Sequence, residues 1–230
     1  MKVFAINSSP HLKKSNTALV LDPVLDGMRD AGAEVELFFT KKLNIRPCTG
    51  EFECWDQPSG KCHIRDDMDV LIPKMKEAGI WVFGIPVYVP MPGEMQNLLN
   101  RMMPLLDSKI VILGDRMIPH KRDDVNVRTV SLVSSCAFWE MANFNELVRS
   151  VERVANVWEA EFASPVLRPH AEKFSRMLKA GREVDDIIHA AREAGRELVT
   201  EGEIQKKTVK TIGRPLVSFK DFTKEFEIGN

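Results

Sequence analysis

The sequence predicts an α/β fold, an open, doubly wound parallel sheet of five strands covered by helices on both faces. Two observations carry this. Short apolar runs alternate along the chain with stretches whose apolar residues recur at helical spacing, the pattern of strand–helix–strand units joined by right-handed crossovers. About five such runs are present, too few for a closed eight-stranded barrel.

Residues 2–6 form a nearly continuous apolar run and read as a buried strand. Residues 16–29 place Leu21, Val24, Leu25 and Met28 on one helical face, with Asn16 as the N-cap. Pro23 lies inside that pattern and costs about 3 kcal/mol in a regular helix interior, which predicts a kink or a late start. Residues 34–39 read as the second strand. A long polar stretch, 40–65, follows and holds Cys48, Cys54 and Cys62; irregular segments beyond about 12–15 residues are usually functional or mobile. Residues 66–78 put Met68, Leu71, Ile72 and Met75 on one face despite Pro73, and residues 80–85 are the clearest buried strand.

A short helix is expected over 93–103, and 109–113, followed by Gly114-Asp115, reads as a strand or hairpin arm. Residues 128–133 are a firm strand, 143–155 a helix, 158–166 a weak fifth strand. Residues 183–199 form a strongly amphipathic helix through Val184, Ile187, Ile188, Ala191, Ala194 and Leu198. Residues 1–200 are therefore expected to form one domain. Residues 201–230, with Gly213, Pro215 and a charged, aromatic end, read as a C-terminal arm packing on the domain or on a partner subunit.

Composition narrows the function. Among 230 residues, 32 Lys and Arg face 33 Asp and Glu, a net charge of -1, which argues against a protein that grips nucleic acid through a basic excess. With 44% hydrophobic and 28% charged residues the chain is globular rather than disordered. No apolar run reaches the roughly 18 residues of a membrane span, and residues 1–6 lack the apolar stretch of a signal peptide. A cytoplasmic location is expected, with the four cysteines as thiols or ligands rather than disulfides.

Ligands of open parallel sheets bind beyond the carboxyl ends of the strands, and three segments fall at that edge. The first, residues 7–17, offers the hydroxyls of Ser8, Ser9, Ser15 and Thr17, the amide of Asn16 and the free N–H groups of a helix start. That set suits a phosphate monoester; a solvated, Asn-capped loop has the same composition. Neither G-x-G-x-x-G nor G-K-[ST] is present, which disfavours a dinucleotide Rossmann site and a P-loop NTPase. In the second segment, 84–93, Pro86, Pro90 and Pro92 stiffen an apolar shelf beside Tyr88, suited to a flat heteroaromatic ring or simply to capping the core. The third, 134–139, combines Ser134, Ser135 and Cys136 with Phe138 and Trp139. Each is weak alone; their coincidence on one edge is the signal.

Asn7-Ser8-Ser9-Pro10 followed by Ser15-Asn16-Thr17, Pro47-Cys48, Asp66-Asp67-Met68, Gly84-Ile85-Pro86-Val87-Tyr88 and Ser134-Ser135-Cys136 occur in this order. The set resembles the flavodoxin-like FMN proteins of the NADPH-dependent FMN reductase and iron–sulfur flavoprotein group. The resemblance covers about residues 1–200 and implies the strand order 2-1-3-4-5. It also implies that Ser9, His11, Ser15, Asn16 and Thr17 hold the FMN phosphate, with His11 where the family often has arginine. Pro86, Val87 and Tyr88 would border the isoalloxazine ring, with Gly93 at the following turn, and Ser134, Ser135 and Cys136 would border its other side. Ser8 stands where the family usually has glycine.

Iron–sulfur flavoproteins carry a compact run of four cysteines. Cys48, Cys54 and Cys62 match the first, third and fourth, but Glu51 occupies the second, and a carboxylate is a poor ligand for cluster iron. Free thiols in a loop lining the flavin pocket are favoured over a cluster, and over a zinc set with His63. His120, Lys121 and Arg122 read as a solvated basic turn or, less well, as an attractor for the anionic part of NAD(P)H. His63, His170 and His189 show no partner pattern, and no catalytic triad or carboxylate pair stands out.

The expected function is an FMN-dependent oxidoreductase. NAD(P)H delivers hydride to flavin N5 and leaves; a quinone, free flavin or small redox protein then takes the electrons on the shelf near Tyr88. The alternatives are an iron–sulfur electron carrier and a flavin-free regulatory or metal-sensing module. A phospho-receiver is disfavoured because Ile6-Asn7 lacks an acidic pair and Ile85-Pro86 lacks an acceptor aspartate. A homo-oligomer is expected, because Trp55, Trp139, Phe219, Phe222 and Phe226 fall in loops or the tail, where a monomer would expose them.

Overall fold

The structure is a computed structural model and describes residues 1–225. In chain order it contains β1 (Lys2–Asn7), α1 (Ala18–Asp30), β2 (Glu34–Phe39), α2 (Glu53–Asp56), α3 (Met68–Glu77), β3 (Ile80–Pro86) and α4 (Gly93–Asn100). β4 (Leu106–Leu113), β5 (Arg116–Lys121), β6 (Thr129–Ser135), α5 (Asn145–Val157), β7 (Glu161–Phe162) and β8 (Val166–Arg168) follow. The chain continues with α6 (Ala171–Lys179), α7 (Asp185–Thr200), α8 (Lys206–Gly213) and α9 (Phe219–Thr223).

The main sheet is parallel and runs β2-β1-β3-β6, with β7 and β8 both pairing with β6 in the fifth position. The doubly wound fold expected from the sequence is therefore present, with its fifth strand split in two. Residues 109–113 belong to a separate antiparallel hairpin of β4 and β5 between α4 and β6.

Alternation along the strands divides the core. Phe4, Ile6, Trp81, Phe83, Val130 and Leu132 face α3, α4 and α5. Val3, Ala5, Ile80, Val82 and Val133 face α1, α6, α7 and α8. With both faces covered, the central strands are apolar throughout instead of alternating with polar residues. On the second face α1 and α7 cross at very short range. A Cβ on Gly27 would stand 1.7 Å from the Arg192 carbonyl oxygen, and one on Gly195 would stand 1.8 Å from that of Val24. Only glycine at both positions lets the two backbones touch.

Pro23 lies inside α1, which begins at Ala18, two residues after the expected start. Asn16 does not cap it: the Ala18 N–H donates to Ser15 Oγ at 3.0 Å instead. The chain beyond residue 200 packs on its own domain. Ile204, Ile212 and Phe222 are buried, and the buried Arg168 guanidinium donates to the carbonyl oxygens of Ile212 at 2.5 Å and Arg214 at 2.7 Å. Phe219 is half exposed and Trp139 half-buried, while Phe226 lies outside the described residues. No helix among the described residues is long and apolar enough to cross a membrane.

Candidate flavin site at the carboxyl edge of the sheet

Strand register brings the three edge loops together. Asn7 ends β1 beside Gly84 of β3, Pro86 ends β3 beside Ser135 of β6, and Ser135 lies beside Arg168 of β8. Hydrogen bonds then tie the loops to one another. The Ser8 N–H donates to the Gly84 carbonyl at 2.8 Å and the Val87 N–H to the Ser135 carbonyl at 3.0 Å. Thr17 Oγ1 and Ser135 Oγ lie 2.8 Å apart, both residues buried. Gly84 is required at this junction, because a Cβ would meet Leu21 Cδ2 at 2.6 Å and the Ile6 carbonyl oxygen at 3.3 Å.

In the first loop, Asn7 Oδ1 accepts the Ser9 N–H at 2.9 Å, and Ser9 Oγ accepts the His11 N–H at 3.4 Å. Ser15 Oγ donates to the Leu12 carbonyl at 2.7 Å while it caps α1. These hydroxyls shape the turn. The backbone N–H groups of Asn16 and Thr17, at the start of α1, find no acceptor among the described residues. Asn7 Nδ2 is buried and also unpartnered. His11, Lys13 and Lys14 are exposed around the same turn, and residues 8–17 contain no carboxylate. A helix start with unsatisfied donors, cationic flanks and no acid fits a phosphate dianion.

The second loop supplies the apolar surface. Pro86 is buried and Val87 half-buried; Tyr88 is 52% exposed and Val89 fully exposed. Gly93 is exposed at the first position of α4. In the third loop Ser134 Oγ donates to the Ile85 carbonyl at 2.6 Å. Cys136 is buried, with its N–H on the Arg168 carbonyl at 3.0 Å, and burial pushes its thiol pKa up. Beyond it Phe138 is 57% exposed. The edge thus pairs an anion-accepting turn with an open apolar wall, as FMN requires at its phosphate and ring ends.

The cysteine loop is built differently. Arg122, read from sequence as part of a solvated or ligand-attracting turn, is buried. It donates to the carbonyl oxygens of Pro104, Pro58, Cys54, Trp55 and Gln57, so it fastens the loop to the segment before β4. His120 meets Asp107 at 3.0 Å. Arg101 anchors the other end of the loop, donating to the Arg46 carbonyl at 2.8 Å and to the buried Asp66 carboxylate at 2.6 Å. The Cys54 thiol pKa is raised by burial first, then by the neighbouring Cys62 and Cys48. Glu51 accepts from Thr49 and lies 3.8 Å from His63. Among the described residues no group of three or more His, Cys, Asp or Glu is arranged to hold a metal. The three thiols are neighbours, as the effect of Cys62 and Cys48 on Cys54 shows.

Sequence reasoning did not single out Arg101 or Arg168, and it found neither the anchoring role of Arg122 nor the partners of His170. His170 is buried, stacked on Trp139 at 5.8 Å between ring centroids and 5.0 Å from Phe222. Trp139 Nε1 in turn donates to the Val217 carbonyl at 3.3 Å. The segment around α9 therefore braces the third loop from behind. The signal lay in Trp139 and the tail aromatics, whose pairing is not visible as local spacing.

A doubly wound sheet with a donor-lined first loop and an apolar second loop defines a flavodoxin-like mononucleotide-binding protein. The model of the NADPH-dependent FMN reductase family matches residues 1–139, and the chain belongs to that family. An iron–sulfur flavoprotein of Methanocaldococcus jannaschii is 35% identical over 106 residues, 46% of this chain and 53% of that protein. One from Archaeoglobus fulgidus is 34% identical over 102 residues, 44% of this chain and 48% of that protein. The chain thus spans about half the length of the curated relatives it matches. The fold is similar to that of an NAD(P)H:quinone oxidoreductase from Methanothermobacter marburgensis, with a TM-score of 0.61 at 15% identity over 86% of this chain and 96% of that one. An FMN-dependent NADH-azoreductase from Bacillus anthracis, solved with FMN, gives a TM-score of 0.60 at 13% identity over 87% of this chain and 100% of that one.

Proposed function

We propose that this protein binds FMN at the three-loop edge and passes electrons from NAD(P)H to a small acceptor, a quinone, a flavin or a small redox protein. The observation that carries this is the hydrogen-bonded convergence of Ser8 on Gly84, Val87 on Ser135 and Thr17 on Ser135, which fixes an anion-accepting turn beside an apolar wall. The free N–H groups of Asn16 and Thr17 hold the phosphate, with Ser15 setting the turn and Lys13 and Lys14 adding positive potential. Pro86, Val87 and Tyr88 border one side of the ring system and Ser134, Ser135 and Cys136 the other. Bound FMN supplies the two-electron chemistry, so the chain needs no acid–base pair of its own. Exposed Tyr88, Val89 and Phe138 would offer a flat donor or acceptor an apolar surface beside the ring.

The test is titration of the purified chain with FMN, followed by anaerobic addition of NADPH or NADH. Saturable binding and bleaching of the flavin bands, with recovery on adding a benzoquinone, are expected. Binding that is absent, or bound flavin that neither nucleotide bleaches, refutes the reading. Iron and sulfide assays of the anaerobically prepared protein address a second reading, a cluster carrier. That reading is favoured by the names of the curated relatives and the proximity of Cys48, Cys54 and Cys62. We further propose that the protein works as a homo-oligomer in the cytoplasm.

A further inference from the structure

Just past α9, Glu225 puts a carboxylate between two cavities, its N–H held by the Phe222 carbonyl at 3.1 Å. One carboxylate oxygen accepts from Lys173 and the other from Arg176 at 2.6 Å, both residues on α6. An inner cavity of about 260 Å³ lies between these three groups, Glu172, Phe222 and Ala137 of the third edge loop. An outer cavity of about 360 Å³ is lined by the same Lys173, Arg176 and Glu225 with Met177, Ala180 and Arg182. The Arg182 guanidinium has no partner among the described residues. Three cations of the outer cavity thus face one carboxylate, an excess of two positive charges. Glu172 lines only the inner cavity, and Glu183 lines a separate one with Asp185, Asp186 and Arg214.

That excess matches a phosphate monoester dianion, whose oxygens guanidinium groups bind by charge-assisted hydrogen bonds. Glu225 already occupies the place of such an anion, with one oxygen on each cation. Its ion pairs are partly open to water, Arg176 being 67% exposed, so a ligand anion exchanges for it at little cost. The site is also tied to the flavin edge. The Ala171 N–H donates to the Cys136 carbonyl at 2.9 Å, so α6 starts on the third loop, and Arg176 lies about 8 Å along the helix from that start. A nicotinamide dinucleotide whose ring lies on the flavin extends its adenylate end away from it. In NADPH that end carries a 2′-phosphate monoester, whereas the pyrophosphate groups are singly charged diesters.

We propose that Lys173, Arg176 and Arg182 form the subsite for the 2′-phosphate of NADPH, with Glu225 as the built-in counter-ion that the phosphate displaces, so that the chain prefers NADPH to NADH. The proposal rests on the flavin reading. It is tested on the FMN-loaded full chain by calorimetric titration with adenosine 2′,5′-bisphosphate and with adenosine 5′-monophosphate, and by the KM for NADPH and for NADH. The bisphosphate is expected to bind more tightly than the monophosphate. Arg176→Gln with Arg182→Gln is expected to weaken the bisphosphate and raise the NADPH KM about tenfold, with kcat and the NADH KM unchanged. Glu225→Gln is expected to tighten bisphosphate binding and lower the NADPH KM several-fold, and it decides the matter where circular dichroism shows the double variant to be poorly folded. Flavin bleached by NADPH with the same KM in the wild type and the variants overturns the subsite alone, as does a bisphosphate that binds no better than the monophosphate. A flavin that neither nucleotide bleaches overturns the flavin reading, and the subsite with it.

Discussion

The Asp66 carboxylate and the Arg101 guanidinium meet at 2.6 Å with both side chains out of water. Burial works to raise the Asp66 pKa, but the hydrogen bond from Arg101, the N–H groups of Arg46 and Met68 and the Arg101 charge together lower it. Its folded pKa therefore lies below the unfolded value of about 3.9. The stability it contributes is present above about pH 4 and is lost as pH falls through the folded pKa. Asp66→Asn leaves Arg101 buried without its anion, and the expected cost is about 3–5 kcal/mol, read as a lower urea midpoint at neutral pH and a weaker acid dependence. His170 adds a slope of the same sign in a higher pH window. Burial, then the Arg168 charge, lowers its pKa to about 4, so the unfolded chain takes up a proton first as pH drops below about 6.5. Stability is expected to fall between about pH 6.5 and 4 and to level off below that. His170→Asn should remove that portion of the slope in urea melts, and an unchanged profile would show that His170 is not the titrating group. At the site, Thr17→Val breaks the bond to Ser135 and should weaken FMN binding by about 2–10-fold, the equivalent of one hydrogen bond. None of these pairs was legible in the sequence: residue 66 meets residue 101, and 17 meets 135, only through the sheet. What was legible was residue type, the hydroxyls of 8–17 and the apolar 86–89, because strand ends expose their loops whatever the tertiary partners.

Elements were read from periodicity, and periodicity reports burial rather than pairing. The runs at 2–6, 80–85 and 128–133 emerged as β1, β3 and β6 because a strand covered on both faces is apolar throughout, while 34–39 emerged as the edge strand β2 with Glu34 exposed. The fifth position was weak in the sequence for a structural reason. Glu161–Phe162 and Val166–Arg168 pair separately with β6, and residues between them leave the ladder. The sequence left 109–113 open between strand and hairpin arm, since a two-stranded ribbon and an edge strand share the same alternation. α6, with few buried residues, gave no reading at all. The α1–α7 crossing was equally silent, because Gly27 and Gly195 matter only where two backbones meet. Gly195→Ala would place its Cβ 1.8 Å from the Val24 carbonyl oxygen, and the helices must part. A loss at the upper end of about 1–3 kcal/mol is expected, seen as a fall in Tm of about 6–12 °C. A variant melting with the wild type would mean that the helices are not in contact in solution.

At the scale of the molecule, the sheet, its two covering layers and the C-terminal segment converge on one edge. β1, β3 and β6 end there in register, α1 starts there, and α9 braces the third loop through Trp139 and His170. The position of the edge followed from the sequence, because parallel strands place all their carboxyl ends together. How the hydroxyls are used did not, and the structure gives several of them to turn-building while leaving backbone N–H groups for the ligand. Removal of the chain after residue 201 would strip the acceptors from buried Arg168 and uncover the core. Loss of the folded state, rather than a smaller assembly, is therefore expected for such a truncation, with circular dichroism as the check.

The most direct measurement is the absorbance spectrum of the full chain titrated with FMN and then with NADPH or NADH without oxygen. The account predicts one FMN per chain, bound through the edge of β1, β3 and β6, bleached by the nucleotide and restored by a quinone. A folded chain that remains colourless in excess FMN would contradict it.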